Sequence, residues 1–546
     1  MAWQIGLPGL GDATIDRLRK MRRGKPSRPF YKEKGVLKGK KGSRGCLEGI
    51  MIALLGKLRS CFVLPRGARA FPLATGYRAW GFPEGFKTSE MDLDLQCQEF
   101  EASKWKELVE SMKQHKTIRL DDCGLGISHC EDLSVVLTTN QELTELNLSN
   151  NELGDAGVDA LCKGLLNPNC KLQKLRLRNC NLTKACCEKL RSVVSKSSLT
   201  ELHLGDNSLG SSGGKALCQG LVDPNCQLES LQLQFCDLTK ENIEALCSVL
   251  CVKSSLQMLN LSNNKLGDEA VKNLCQALVK GSSNLESLQL ESCEITRASC
   301  EDLSTFLSNT PSLKELCIGD NDIGDAGLAI LCQGVQNPNC KVEKLWLWEC
   351  NITPGGCKEL ATVIGTKETL KDMSLLGNPV KNEGVDFLCE GLKNPATKLQ
   401  SLWLRDCGLT EACCKSLSSA LSVNVVLKEL QLGGNSIRDA GVIEICNGIR
   451  SSKCNLESLW VGMSSVTAVC CDALAKLIVE KPSLRELDVS YSQIGDEGVL
   501  KLCEAVKDPN CNLKYLILYD TYWTSEADKV KVKELGKVRT DFQVVT

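Results

Sequence analysis

One eleven-residue pattern returns along the chain from about residue 116, and this periodicity constrains the fold more than any other feature. The pattern L-x-x-L-x-L-x-x-N/C-x-L is seen in LTELNLSNNEL at residues 143–153 and in LQKLRLRNCNL at residues 172–182. We call the residue at its N/C position the marker residue. Asn-type markers fall at Asn151, Asn207, Asn264, Asn321, Asn378, Asn435 and then Ser492, and Cys-type markers at Cys123, Cys180, Cys236, Cys293, Cys350, Cys407, then Ser464 and Thr521. Like markers are 57 residues apart, with one spacing of 56 in each series, which predicts fifteen alternating repeats of 28 or 29 residues.

Each repeat predicts a short strand, a turn and a helix. The L-x-L segment is a strand whose leucines share one face, and GDAGVDALCKGL at residues 154–165 has the apolar spacing of a helix. Paired strands lie about 4.8 Å apart, whereas packed helices need about 10 Å, so a stack of such units must curve. The predicted fold is an α/β leucine-rich repeat solenoid, a horseshoe with a parallel sheet on its concave face and helices outside. It spans residues 91–546, with an N-terminal cap near MDLDLQCQEF.

Residues 1–90 differ in composition from the repeats. They contain 19 Lys and Arg against 6 Asp and Glu, whereas the remaining residues contain 47 against 61. This basic segment has no helical or strand periodicity, so we expect a low-order N-terminal extension. Its apolar run at residues 49–56 is far shorter than the roughly 20 residues of a membrane span. Its first 30 residues do not resemble a secretory signal.

Four tryptophans occupy variable positions of the strands. In LWLWEC at residues 345–350, Leu345 and Leu347 are the predicted buried pair. The same frame predicts that Trp346 and Trp348 project from the concave surface, and that Trp403 and Trp460 lie in the same column as Trp346. Exposed Trp is typical of binding hot spots, so this column predicts a surface for a protein partner.

Acidic residues also recur on the strands. Six of them precede a strand leucine of the Asn-type repeats: Glu145, Glu201, Glu315, Asp372, Glu429 and Glu486. Glu291, Glu349, Asp406 and Asp520 lie at the ends of Cys-type strands. With a net charge of about −14 after residue 90, the concave face should attract a basic partner and exclude nucleic acid.

The 33 cysteines are read as packing residues, because 24 of them fall into four repeat columns. There is no C-x-x-C and there are only three His, so no metal site is expected. The thiol content predicts a reducing, cytoplasmic location. The vicinal pairs Cys186–Cys187, Cys413–Cys414 and Cys470–Cys471 are expected to oxidise first, and oxidation should abolish binding cooperatively.

The sequence does not indicate an enzyme. No His lies beside a nucleophile in a recognisable elbow. GVLKGKKG and GIMIALLGKL both depart from the phosphate-loop pattern, so no nucleotide or other cofactor is expected.

With these features in place, residues 91–546 resemble the ribonuclease inhibitor family through RLDDCGL, LWLWEC and LYDTYW. The resemblance implies a monomer that wraps pancreatic-type ribonucleases, including angiogenin, in a tight noncovalent 1:1 complex and blocks the active site. Family contact positions match Trp346, Trp348, Trp403, Trp460, Glu291, Glu429 and Glu486, and the family's C-terminal contact site matches Tyr519, Asp520 and Tyr522. Asp520 would pair with a catalytic lysine. Arg405 replaces a common lysine, Asp372 a common Glu, and GMSS at residues 462–465 an acid and a marker Cys.

An alternative is the leucine-rich sensing region of a NOD-like receptor, whose repeats alternate in the same way. Such receptors carry a nucleotide-binding module upstream, and residues 1–90 lack a phosphate loop. The YDTYW segment favours the ribonuclease inhibitor family.

Overall fold

The computed structural model describes residues 91–251, 255–281, 283–451 and 453–524, together with residues 532, 535–536 and 539–545. The predicted low-order extension, residues 1–90, lies outside these residues.

Within them, seventeen strands of three residues each form a parallel sheet in which every strand pairs with its neighbours in the chain. Their central residues are in register, as in Leu146 with Leu175 and Leu345 with Met373. This confirms the strand that the L-x-L motif predicts. The strands are β1 Asp92–Asp94, β2 Thr117–Arg119, β3 Glu145–Asn147, β4 Lys174–Arg176, β5 Glu201–His203, β6 Ser230–Gln232, β7 Met258–Asn260, β8 Ser287–Gln289, β9 Glu315–Cys317, β10 Lys344–Trp346, β11 Asp372–Ser374, β12 Ser401–Trp403, β13 Glu429–Gln431, β14 Ser458–Trp460, β15 Glu486–Asp488, β16 Tyr515–Ile517 and β17 Gln543–Val545.

Fifteen α-helices in the described residues alternate with the strands and lie on the outer, convex side of the horseshoe. None is long and apolar enough to cross a bilayer. Three are preceded by a 3₁₀ turn, at Arg297–Ser299, Glu411–Cys413 and Ala468–Cys470. The helices are α1 Ala102–Met112, α2 Ile127–Thr139, α3 Gly154–Leu165, α4 Lys184–Lys196, α5 Gly210–Leu221, α6 Lys240–Leu250, α7 Gly267–Lys280, α8 Cys300–Asn309, α9 Gly324–Gln336, α10 Pro354–Thr366, α11 Lys381–Lys393, α12 Cys414–Val423, α13 Arg438–Ile449, α14 Cys471–Glu480 and α15 Gly495–Val506.

Several helices of the Cys-type repeats, such as α10, are capped at their start from within the repeat and from the repeat before. The Thr353 hydroxyl accepts a hydrogen bond from Gly355 N at 3.3 Å at the start of α10, with Pro354 as the first helical residue. Asp325 of the preceding repeat accepts bonds from the backbone N–H and the hydroxyl of Thr353, at 2.8 and 2.5 Å. One carboxylate therefore joins two consecutive repeats.

The marker asparagines fasten the turns after the strands. Asn378 is fully buried, and its Oδ1 accepts bonds from the backbone N–H groups of Cys350 and Ile352 at 2.8 and 3.0 Å. Its Nδ2 donates to the carbonyls of Leu347 and Leu375 at 2.7 and 2.8 Å. A buried amide thus bonds four backbone groups of two repeats at 3.0 Å or less.

The core lies between sheet and helices and is built from the repeat leucines and thiols. All seven cysteines of the helix column are at most 8% exposed: Cys162, Cys218, Cys275, Cys332, Cys389, Cys446 and Cys503. The packing role predicted for this column is confirmed. Trp523, on the last leucine position of the last repeat, also packs against this core.

Candidate protein-binding face

The first and third residues of each strand flank its buried central residue, so their side chains lie on the concave side of the sheet. Along β9–β15 the third residues form one continuous column. This column is Cys317, Trp346, Ser374, Trp403, Gln431, Trp460 and Asp488. It brings together three of the four tryptophans that the sequence singled out.

The expectation that these indoles are freely exposed is wrong. Trp346, Trp348 and Trp403 are 3, 7 and 5% exposed, and Trp460 is half-buried. They do not belong to the main core, however. With Cys317 and Leu376, the first three form a separate apolar cluster on the concave side.

The indoles are covered because they pack against one another along the sheet. The rings of Trp346 and Trp403 have centroids 5.0 Å apart and planes inclined at 40°. Ser374, the residue between them in the column, is small enough for the two rings to meet above it. The Trp348 indole lies where a side chain at Gly319 would be, so any Cβ at that position would collide with it. Sequence periodicity predicted the column but could not predict this lateral packing.

Carboxylates hold the Trp346 and Trp403 rings in place. Trp346 Nε1 donates a hydrogen bond to Glu315 Oε1 at 2.8 Å, and Trp403 Nε1 donates to Glu429 Oε1 at 3.0 Å. Gln431 also donates to Glu429 Oε1, at 2.6 Å. The sequence predicted acids and tryptophans as two independent columns, whereas the structure pairs them.

Two further carboxylates take part in the same arrangement. Glu291 accepts a hydrogen bond from the thiol of Cys317 at 2.7 Å and lies close to the indole of Trp348. Glu486 faces the indole N–H of Trp460. Each of the four tryptophans therefore has its own glutamate, three of which were predicted as contact residues.

Burial raises the pKa of these glutamates. Both Glu291 and Glu486 are 6% exposed. Burial raises the pKa of Glu291 and Glu429, and it raises the pKa of Glu486 to about 7, with help from the nearby Glu429 and Asp488 carboxylates. The indole hydrogen bonds oppose the shift without cancelling it. Glu486 is therefore only part-charged near neutral pH.

The N-terminal part of the acid column has a different environment. The guanidinium of Arg176 lies between Glu145 and Glu201, with N–O distances of 2.5 and 3.0 Å. These three side chains are partly buried, and the two carboxylates raise the pKa of Arg176. Arg119 and Lys174 also lie 3.6 and 3.7 Å from these carboxylates, so cations offset the charge of the acid column at this end.

The predicted C-terminal contact residues lie on the turn after β16. Asp520 is exposed and Tyr522 is 62% exposed, and both have left-handed backbone conformations with φ of 46° and 55°. Tyr519 is half-buried, and its carbonyl accepts a bond from Tyr491 N at 2.6 Å. Burial raises the pKa of the Tyr519 phenol, with smaller effects from Tyr491 and Asp488. The turn presents one carboxylate between two tyrosines.

Arg405 reaches from the turn after β12 to the turn after β14 on the same edge of the sheet. Its Nε donates to Asp406 Oδ2 at 3.1 Å, and its Nη2 lies 3.6 Å from Met463 Sδ. Its side chain is therefore turned along the edge rather than into the Trp cluster. At Asp372, burial raises the pKa of the carboxyl, and Ser401 and two nearby lysines oppose this.

Within the described residues, no group of three or more His, Cys, Asp and Glu side chains could hold a metal ion. The concave face instead combines indoles, carboxylates and tyrosines, which are groups that bind another protein without covalent chemistry.

Comparison with known proteins decides the family. The capping repeat of ribonuclease inhibitors matches residues 91–120, and the leucine-rich repeat family matches residues 139–162, 195–218, 252–275, 310–332, 423–446 and 480–503. The chain is 45% identical to the ribonuclease inhibitor of Mus musculus over 457 residues, covering 84% of this chain and all of that protein. It is 46% identical to the ribonuclease inhibitor of Sus scrofa over 449 residues, covering 82% of this chain and 98% of that protein. The chain belongs to the ribonuclease inhibitor family.

The family also has more distant relatives among larger proteins. The human NACHT, LRR and PYD domains-containing protein 14 is 35% identical over 408 residues, which cover 74% of this chain but 37% of that protein. The ribonuclease inhibitors match over nearly their whole length and with higher identity.

Proposed function

We propose that this chain inhibits pancreatic-type ribonucleases, including angiogenin, by tight noncovalent binding that blocks their active sites. The observation that carries the proposal is the 46% identity to a ribonuclease inhibitor over 98% of that protein's length. The chain itself catalyses nothing in this proposal and needs no cofactor. It acts by occupying the space that RNA would need.

The geometry of the concave face supports this function. The indoles of Trp346 and Trp403 are held in fixed orientations by hydrogen bonds to glutamates, so they lose little conformational freedom when a partner binds. The cluster of Trp346, Trp348 and Trp403 lies on the concave side and is separate from the core. Trp346, Trp348, Trp403 and Trp460 therefore act as a rigid apolar platform rather than as inserting side chains.

The C-terminal turn supplies the charged contact in the proposed complex. Asp520 is exposed between Tyr519 and Tyr522, and it would accept a hydrogen bond from a catalytic lysine of the ribonuclease. Secreted ribonucleases are cationic, and the acids of the C-terminal half favour such partners over nucleic acid. One horseshoe would bind one ribonuclease.

The cysteines support a cytoplasmic location for this function. All 31 cysteines in the described residues are free thiols, most of them buried. A protein that depends on so many thiols is suited to a reducing compartment.

A stoichiometric titration tests the proposal. Purified protein is added to a fixed concentration of pancreatic ribonuclease, and separately of angiogenin, and RNA cleavage is followed. We expect activity to fall linearly to zero at one inhibitor per enzyme. Asp520→Asn should weaken inhibition, whereas Asp122→Asn, at the equivalent position of the first repeat, should not. Full ribonuclease activity in the presence of excess wild-type protein would overturn the proposal.

The sensing role of NOD-like receptors is the second candidate, supported by the human NACHT-containing relative. The chain spans about a third of that relative's length, and the identity is lower. The same titration separates the two roles, because a sensing module has no reason to inhibit ribonucleases stoichiometrically.

A further inference from the structure

The residue before each marker has a left-handed backbone in every described repeat, with φ between 46° and 71°. Most L side chains are strained there, whereas Asn, Asp and Gly tolerate it. The chain follows this preference in ten of the fifteen repeats. Eight have Asn or Asp and two have Gly: Asp122, Asn150, Asn179, Asp206, Asn263, Asp320, Gly377, Asp406, Gly434 and Asp520.

Two consecutive repeats near the C-terminus break the preference with large apolar side chains. Met463 and Tyr491 occupy the strained position with φ of 55° and 54°, and Tyr522, just after the last marker, has φ of 55°. These side chains are 46, 52 and 62% exposed. Their strain is therefore not offset by burial in the core. We call these three residues the apolar rim.

The apolar rim adjoins the proposed contact turn. Met463 N donates to Ser490 O at 2.8 Å, and Tyr491 N donates to Tyr519 O at 2.6 Å, which places the turns of β14, β15 and β16 side by side. Asp520 follows Tyr519 directly. An exposed apolar surface thus continues from the turn that the proposed function assigns to the ribonuclease.

Charge at the rim defines what can bind there. Asp520 is exposed at one end. At the other end, Arg405 lies against Met463 Sδ and is already paired with Asp406. A ligand group over the rim therefore meets an apolar surface with a carboxylate beside it. A partner with an apolar side chain next to a cationic one would match both the apolar surface and the carboxylate. The tyrosine rings also attract a cation.

This inference rests on the proposed function. We infer that the apolar rim contacts a surface loop of the ribonuclease in which an apolar side chain neighbours a lysine or arginine. Contact with this loop determines which cationic ribonucleases are bound most tightly. Ribonucleases that lack the apolar side chain gain no binding affinity from Met463 and Tyr491. The strained conformations are then accounted for by binding rather than by folding.

The test uses Met463→Asn combined with Tyr491→Asn in the full chain, because Asn is the residue that other repeats place at this position and should fold there with less strain. Phe235→Asn is the matched control, since Phe235 has φ of 53° at the equivalent position of a distant repeat. Dissociation rates are measured with pancreatic ribonuclease and with angiogenin. We expect the double variant to dissociate at least tenfold faster from one of the two, with the two losses differing by fivefold or more.

The dissociation rates are also measured at two salt concentrations and for a conservative variant. An apolar contact predicts that the loss is similar at low and high ionic strength, whereas the loss caused by Asp520→Asn shrinks as salt increases. Tyr491→Phe, which keeps the ring, should dissociate like the wild type. The melting temperature of the double variant should be no lower than that of the wild type.

The outcomes separate this inference from the proposed function. A wild type that binds neither ribonuclease overturns the proposed function and this inference together. If the wild type binds, an unchanged double variant, equal losses on both enzymes, an equal loss in Phe235→Asn, or a loss that disappears at high salt overturns the inference alone.

Discussion

Two tryptophans of the concave face, Trp346 and Trp403, belong to the proposed binding surface and also make an internal hydrogen bond. The indole N–H of Trp403 is used by Glu429, and that of Trp346 by Glu315. Removing either ring therefore takes one hydrogen-bond donor away from a partly buried carboxylate, in addition to removing the apolar surface. Effects of tryptophan substitutions on binding and on folding must accordingly be measured together.

At the C-terminal turn we expect Asp520→Ala and Tyr519→Ala each to weaken ribonuclease binding by about 2 to 4 kcal/mol. The double variant should lose less than the sum, because the residues are adjacent and contact the same partner. The change should lie mainly in the dissociation rate, measured by exchange against labelled ribonuclease. Unchanged dissociation rates in both single variants would contradict the assigned contact.

Glu486 gives a prediction for pH. Its pKa is raised from 4.5 to about 7 by burial, so the folded state binds a proton more tightly than the unfolded state. The stabilisation is fully present below about pH 4.5 and is lost as the pH rises to about 7. We therefore expect Glu486→Gln to be more stable than the wild type at pH 8, by on the order of 1 to 3 kcal/mol.

This pH effect is measured by urea denaturation at pH 5 and pH 8. The advantage of Glu486→Gln should be larger at pH 8. Glu457→Gln, on a side chain that is 46% exposed, serves as the control and should show no such difference. A Glu486→Gln advantage that is equal at both pH values would refute the proton linkage.

At the level of the repeat element, the marker residue decides how strongly a turn is fastened. Asn378 makes hydrogen bonds of 3.0 Å or less to four backbone groups. Ser492, the marker two Asn-type repeats later, has a single hydroxyl, which donates to Ser490 O at 3.2 Å. A hydroxyl cannot supply the two donors and the acceptor capacity of an amide.

We therefore expect Asn378→Ala to lower the free energy of unfolding by roughly 3 kcal/mol or more, because buried backbone groups lose their partners. In the opposite direction, Ser492→Asn should raise it by about 1 kcal/mol. Both are measured by urea denaturation. An Asn378→Ala variant as stable as the wild type would show that the turns hold without the marker amide.

At the scale of the whole molecule, residues 1–90 are expected to be dispensable for binding. The ribonuclease inhibitor of Mus musculus matches over its full length with 457 residues of this chain, and the capping repeat begins at residue 91. Deleting residues 1–90 should leave the ribonuclease dissociation rate within twofold of the full chain. A tenfold increase would show that the basic segment contributes to the complex.

Oxidation should inactivate the molecule as a unit. Burial raises the pKa of the repeat thiols, to about 12 at Cys407 for example, so few thiolates form while the stack is closed. In two of the vicinal pairs one thiol is more acidic, because its neighbour's hydrogen bond lowers the pKa of Cys413 and Cys471. These pairs should react first and open the stack.

Partial oxidation is expected to give a mixture of fully active and fully inactive molecules. Alkylation followed by intact-mass measurement should find few molecules with intermediate thiol counts. The control is the same sample kept with thiol reductant. Retained inhibition after complete thiol oxidation would contradict the prediction.

The sequence by itself determined the architecture. The spacing of leucines and markers predicted the strands β2–β16, because a strand of alternating residues and a helix of fixed length leave one way to bury both apolar faces. It did not predict β17 at Gln543–Val545, which follows the last marker. It also predicted the buried thiol columns, which are a local consequence of the repeat.

Only the tertiary structure decided how the variable positions interact. Residues such as Trp346 and Trp403 are 57 positions apart in the chain, and they meet because the residue between them on the sheet, Ser374, is small. The pairing of each tryptophan with a glutamate likewise depends on side-chain orientation across strands. Periodicity places these residues on one face, but contact and burial arise from neighbours that the repeat pattern leaves unspecified.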